Sequence, residues 1–177
     1  MPATWLKIQH QFHTNWCWAA VAVSIERHFA ADSEWTQCKL ASVVAQRRKL
    51  PVTNCCSGGH KRIAEECNDA WYLDRALRIV RRLAGRLIPH PLSFREVRRH
   101  ILEGRPVCAR ILWWGIEPNA HFVVISGCYV GNDGSRWLDI EDSFWGSSTW
   151  RYEVFRSNYK YARGRWVASY LTKPDKN

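Results

Sequence analysis

The spacing of apolar residues in this chain changes character once, near Gly104, and that change limits the folds open to it. Before it, apolar residues recur at helical intervals. After it, they fall into strand-length blocks. Cys17 to Phe29 mixes small and apolar residues at helical spacing (Ala20, Val21, Val23, Ile25, Phe29), and its first turn has almost no polar side chain. A buried helix is predicted there, with Thr14 and Asn15 as caps. A second helix is expected after Thr36, over Gln37 to Arg47, with Pro51 beyond its end. A third is expected over Asp69 to Leu83, with Leu73, Leu77, Val80 and Leu83 on one face, Asn68 as cap and Gly85 as stop. Ser93 to Glu96 reads S-F-R-E, a capping box, and starts a short helix that Gly104 ends.

Strands are predicted at Pro106–Trp114, His121–Val130, Arg136–Glu141, Trp150–Phe155 and Trp166–Leu171. Between the second and third, Gly131 to Gly134 reads G-N-D-G, a hairpin signal. Helices followed by an antiparallel sheet make an α+β domain, with a helical part over about 14–104 and a sheet part over about 105–172. The two parts are expected to form sub-lobes with a cleft between them. At 177 residues the chain suits one domain with a real core.

Lys and Arg number 26 against 16 Asp and Glu, a formal charge of +10. Such a field favours acidic partners. No nucleic-acid-binding signature accompanies the arginines, so nucleic acid is not the expected partner, and a solvated helix face accounts for the charge as well. No apolar run approaches the ~18 residues of a membrane-spanning helix, so no transmembrane segment is expected. The first residues show no basic region followed by an apolar stretch, so no export signal is legible there. Seven cysteines are present. Cys38, Cys55, Cys56 and Cys67 cluster around a loop at Val52 to Lys61, and Cys108 and Cys128 lie in predicted strands as small core residues. The cluster is read as two disulfides with three possible pairings, which implies an oxidising compartment. Buried free thiols and a zinc site are the alternatives, the latter disfavoured by adjacent Cys55 and Cys56. An odd total leaves a thiol over, and Cys17 stands apart from the others.

Cys17 sits in Q-F-H-T-N-W-C-W-A-A, residues 11–20, where a helix opens. Unpaired N–H groups at a helix start stabilise a thiolate. A nucleophilic thiol also needs a histidine and a group that orients it. His121 begins a strand and Asp142 follows the next one. With Asn132 and Asp133 as a two-residue turn, Val123 faces Asp142, and His121 lies one repeat along the same face. Diagonal neighbours on one face are ~7–8 Å apart, within side-chain reach. Asp139 would face Ser126, roughly 16 Å along the strand from His121, and on the other face. Asp142 is therefore the preferred acid, unless a bulge changes the register. Gln11, one short loop before Cys17, is a candidate oxyanion donor together with the Cys17 N–H. Taken singly, each of these residues also has a structural reading: a buried cysteine between tryptophans, a core histidine, a polar loop residue.

These stretches resemble papain-like cysteine proteases. Gln11 to Ala20 is similar to their Gln-to-Cys segment, A-H-F-V-V-I-S-G-C-Y at 120–129 to their histidine strand, and E-D-S-F-W-G at 141–146 to their N-S-W-G segment, with Asp142 in place of Asn. The chain also resembles the shorter bacterial branch that includes C39-like peptidases and plant-pathogen avirulence proteases. C-W-A-A, the Q-C…C-C…C-N arrangement and G-R-P-V at 104–107 carry that resemblance. Ala120 stands where many relatives have Gly, and the loop Trp113 to Asn119 is expected to shape the cleft. The resemblance implies a papain-like fold and peptide-bond hydrolysis, with Cys17 as nucleophile, His121 as base, Asp142 as orienting acid and Gln11 in the oxyanion hole. It implies no cofactor and no metal. The substrate would be a protein or peptide, with a cognate inhibitor or immunity protein or an acidic surface as further partners. A secreted or periplasmic protease, or an effector toxin delivered into a target cell, fits the cysteine cluster and the resemblance. A deamidase or transglutaminase with the same constellation, and a noncatalytic basic binding module, are the alternatives.

Overall fold

The computed structural model describes residues 6–57, 62–113 and 120–175. Helix α1 (Cys17–Phe29) has no polar face over its first turns, and every residue from Cys17 to Glu26 is buried. Ala19 and Ala22 allow close approach to neighbours. The helix packs with α2 (Gln37–Arg47) and α3 (Leu73–Ile79) in one core. Two short strands, β1 (Cys56–Ser57) and β2 (Arg62–Ile63), pair antiparallel in the loop between α2 and α3. A single 3-10 turn, Glu65–Cys67, follows them.

The remaining elements build the sheet. They are α4 (Phe94–Leu102), β3 (Val107–Leu112), β4 (Ala120–Val130), β5 (Arg136–Asp142), β6 (Gly146–Arg151), α5 (Tyr152–Asn158) and β7 (Arg165–Leu171). Five strands form one antiparallel sheet in the order β6-β5-β4-β3-β7. Alternation splits each central strand between two cores. Cys108, Phe122, Val124 and Tyr170 join α1 to α3. Ala109, Ile111, Val123, Ile125 and Ile140 join α4 and α5 on the opposite face. The α+β class is as the sequence predicts. The capping box of α4 also forms, with Ser93 and Glu96 bonded reciprocally.

Three local expectations are corrected. Helix α3 spans seven residues, far short of Asp69 to Leu83. Cys67 is disulfide-bonded, and the Cys67 and Asp69 carbonyls accept the Trp16 and Trp18 indoles, which holds the segment before α3 out of helix. Asn68 and Asn15 bond each other and cap neither helix; Trp16 is the N-cap residue of α1. The strand expected at Trp150–Phe155 ends at Arg151 and continues as α5. Helical spacing lets Tyr152 stack edge-on to Phe94 and Phe155 reach Trp166 in the same core, where strand alternation would turn one of the two outward.

The β4–β5 hairpin also differs. Gly131 donates to the Ser135 carbonyl and Gly134 to the Gly131 carbonyl, so the loop holds three residues and closes on Gly134 at φ 78°. A left-handed residue there favours glycine. A bulge between Ile125 and Gly127 then shifts the register back by one. The two irregularities cancel, and Val123 faces Asp142. Gly127 lets the Asp139 side chain lie close at the bulge, where a Cβ would meet the Asp139 carboxylate and sit 3.2 Å from the Asp139 Cβ.

Disulfides join Cys38 to Cys56 and Cys55 to Cys67, with Cα separations of 5.7 Å each. The four-cysteine zinc alternative is thereby excluded, because those thiols are spent. Cys17, Cys108 and Cys128 are free and buried. Among the described residues, no helix is long and apolar enough to cross a membrane.

Candidate active site

The two tryptophans beside Cys17 act as anchors. Trp16 Nε1 donates to the Cys67 carbonyl at 2.7 Å and Trp18 Nε1 to the Asp69 carbonyl at 3.1 Å. Asn15 reaches the same strip, its N–H to Asn68 Oδ1 at 3.2 Å and its side-chain amide to the Asn68 carbonyl at 2.8 Å. The disulfide at Cys67 ties that strip to Cys55. Cys17 is thus the first residue of a helix fastened on both sides. No side chain caps that helix start, so its first N–H groups are left for another acceptor. Burial pushes the thiols of Cys108 and Cys128 up, Cys128 to about 11, which leaves both inert as nucleophiles.

His121 near the start of β4 and Asp142 at the end of β5 lie on one face of the sheet. His121 Nε2 is 2.8 Å from Asp142 Oδ1. The Cys17 side chain acts on the same imidazole from the cleft, and its interaction favours the protonated ring. Burial works to lower the His121 pKa. The hydrogen bonds and charges of Asp142 and Cys17 outweigh it and push the value up to about 9.

Asp142 is 1% exposed and fully bonded. Besides His121, Oδ1 accepts the N–H of Phe144 at 2.8 Å and of Trp145 at 3.1 Å, and Oδ2 accepts the Tyr159 hydroxyl at 2.8 Å. Burial raises its pKa, but the His121 bond and charge and the two N–H donors hold it below the ordinary carboxylate value. Burial and the Asp142 charge push the Tyr159 hydroxyl far up, so it stays a donor.

Gln11 is buried beside them. Its N–H donates to the Ser143 carbonyl at 2.9 Å, and its side-chain Oε1 accepts the Ser143 hydroxyl at 3.0 Å. Its Nε2 donates to the carbonyls of His13 at 3.0 Å and Thr14 at 2.8 Å, so both amide hydrogens are in use within its own loop. Gln37, wholly buried at the start of α2, braces that loop. It accepts the Phe12 N–H at 3.1 Å and donates to the His10 carbonyl at 2.9 Å.

Gln11, Cys17 and His121 line a cleft of about 510 Å³ with Trp113, Phe144, Trp145 and Lys160 among the other walls. The His121 ring lies 5.5 Å from Trp145 and 6.4 Å from Trp113, centre to centre. The four residues singled out from the sequence therefore meet at one place, three on the cleft and Asp142 behind His121. Sequence reasoning missed Tyr159, Ser143 and Gln37. E-D-S-F-W-G carried a signal for Ser143, which follows the acid directly. Gln37 was visible as the Q of the Q-C arrangement, with no site role attached to it, and Tyr159 gave no signal, since it reaches the site only through tertiary packing. Of the loop Trp113 to Asn119, residues 114–119 lie outside the described residues.

A family model described as papain-like cysteine protease AvrRpt2 matches residues 3–160. The chain belongs to this family. The match runs from before Gln11 to just past Tyr159, so it includes every residue of the site described above. Membership and a buried, unpaired cysteine at the cleft are consistent with cysteine-protease chemistry. No curated protein matches the chain.

Proposed function

We propose that the chain is a cysteine endopeptidase acting through Cys17, His121 and Asp142, with Gln11 in the oxyanion hole. The observation that carries this reading is His121, bonded to a buried carboxylate and lining the same cleft as the free thiol of Cys17. The Cys17 thiolate attacks a substrate carbonyl, and a carbon–sulfur bond forms. The oxyanion is stabilised by the Cys17 N–H and by Gln11 Nε2, which yields or shares its longer bond to His13. The His121 imidazolium gives its proton to the leaving amine as the peptide bond breaks, then takes one from water as water cleaves the thioester. Asp142 fixes the ring and compensates its charge throughout.

The fold we infer is papain-like over 1–177, its helical and sheet sub-lobes meeting at the cleft. No cofactor is required by this chemistry. The substrate is a protein or peptide, and a cognate inhibitor would fit the same cleft. Two disulfides together with the family suit a secreted or periplasmic protein, or an effector delivered into another cell.

The test is labelling with an epoxide thiol inhibitor, followed by mass spectrometry of digested protein substrates. Labelling confined to Cys17, lost in His121→Ala, together with new chain ends, is the expected result. A mass gain on glutamine without chain cleavage would move the assignment to deamidation. Failure of Cys17 to label would remove the enzyme reading and leave a basic binding module.

A further inference from the structure

The turn after α5 is a wall with two different sides. Lys160 and Ala162 face the cleft that holds Cys17 and His121, whereas Tyr161, Arg163 and Arg165 line a neighbouring groove of about 550 Å³. That groove shares Ser157 and Arg165 with a further hollow of about 730 Å³ that contains Arg156. Lys160 Nζ lies 5.3 Å from the ring centre of Trp145 and 5.3 Å from that of Tyr159. Trp145 in turn contacts His121, and Tyr159 bonds Asp142. Cation–π contact therefore seats an ammonium on the rings that adjoin His121 and Asp142.

Among the described residues, Lys160, Arg163 and Arg165 have no acidic partner. On the described lining of these three hollows the one carboxylate, Glu153, is held by Arg136. Lys160 is the one charged side chain on the described lining of the cleft, apart from the ionisable pair itself. The backbone is unusual as well: Lys160, Tyr161 and Arg163 all have positive φ, at 58°, 52° and 59°. Glycine would adopt these angles freely, yet the turn presents two cations and a phenol there. Arg163 and Arg165 lie beyond the span the family model matches.

We infer that this turn selects substrates with an acidic flank. It rests on the peptidase reading: a carboxylate beside the scissile bond is held at Lys160, and the chain leaving the cleft crosses the turn onto Arg163 and Arg165. Because the turn stands at one fixed place relative to Cys17 and a bound peptide runs in one direction, the acidic residues fall on the same side of every cleaved bond.

A proteome-derived peptide library digested by the wild-type protein tests this, with cleavage sites read by mass spectrometry. Asp and Glu should be enriched on one flank only. Lys160→Glu should exchange that preference for Lys and Arg. For a matched pair of synthetic peptides, acidic and neutral on that flank, the ratio of kcat/KM should fall roughly two- to fivefold for each of Arg163→Glu and Arg165→Glu, the range of exposed ion pairs. Added salt should lower the same ratio. Cleavage without an acidic flank, or an acidic preference unchanged in Lys160→Glu, overturns the inference and leaves the peptidase reading intact. Absence of any cleavage while Cys17 still labels in a His121-dependent way sinks both. A labelled single-stranded oligonucleotide that displaces the acidic peptide equally from wild type and Lys160→Glu would assign the cations to nucleic acid and also overturn it.

Discussion

Asp142 receives four hydrogen bonds, and that arrangement separates its charge from its shape. Oδ1 takes three N–H donors and Oδ2 one hydroxyl. In Asp142→Asn the amide oxygen can keep the three N–H bonds, and the Tyr159 hydroxyl can rotate to accept from the new NH2 group. Asp142→Ala strands all four donors, of which the His121 and Tyr159 groups are buried and cost about 1–3 kcal/mol each when left unpaired. Asp142→Asn should therefore retain more kcat and a higher Tm than Asp142→Ala. Equal loss in both variants would mean that the negative charge alone matters. The charge has its own signature in the pH profile. His121 rises from 6.5 to about 9 because Asp142 and Cys17 outweigh burial. A raised value means that the stabilisation is fully present below 6.5 and is lost as pH climbs through about 9. The alkaline limb of kcat/KM should lie near pH 9, and Asp142→Asn should move it to lower pH. An unmoved limb would show that the carboxylate does not set the proton affinity of His121.

The stapled loop is the element that holds Cys17, the proposed nucleophile. Its two bridges close loops of 18 and 12 residues, each worth about 3 kcal/mol in a chain-entropy account. Cys55→Ala with Cys67→Ala should lower stability by about that amount in urea denaturation without reductant. It should also slow labelling of Cys17, because the strip that receives Trp16 and Trp18 loses its tie. Lost stability with an unchanged labelling rate would confine the bridge to a structural role. None of this coupling was legible in the sequence. The W-C-W triplet was visible, but what the indoles bond to depends on a strip some fifty positions away in the chain. Local signals fared better: the capping box of α4 and the extent of α2 follow from side chains within a few positions. The hairpin is intermediate. Its register at Asp142 came out as expected, although a three-residue loop and a bulge stood where a two-residue turn had been assumed. Helix α5 was read as a strand because its aromatic spacing acquires meaning only against Phe94 and Trp166.

Across the whole molecule, Cys17 belongs to one core and His121 stands on the sheet face of the other. Phe122 and Val124 of β4 pack into the core of α1 and set the distance between the two, and polar ties add to this. Ser143, after β5, bonds Gln11 through both main chain and side chain, and Gln37 from α2 braces the same loop. Ser143→Ala leaves the buried Gln11 Oε1 without its donor, a loss of about 1–3 kcal/mol. It should reduce kcat more than it raises KM if Gln11 serves the developing oxyanion as proposed. A rise in KM alone would place Gln11 in ground-state binding.

The staple also sets the protein two opposed redox demands. In the proposed chemistry Cys17 works only as a free thiol, while the strip behind it is held by a bond that thiols break. Cys55 is fully buried and Cys67 nearly so, whereas Cys56 of the other bridge is more open to solvent. Reductant therefore reaches the Cys38–Cys56 bridge first and the tie behind Cys17 last. A molecule carried from an oxidising compartment into a reducing one would keep its thiol awake from the outset while its scaffold wore away in that order, so its working life there is timed by the burial of one sulfur pair.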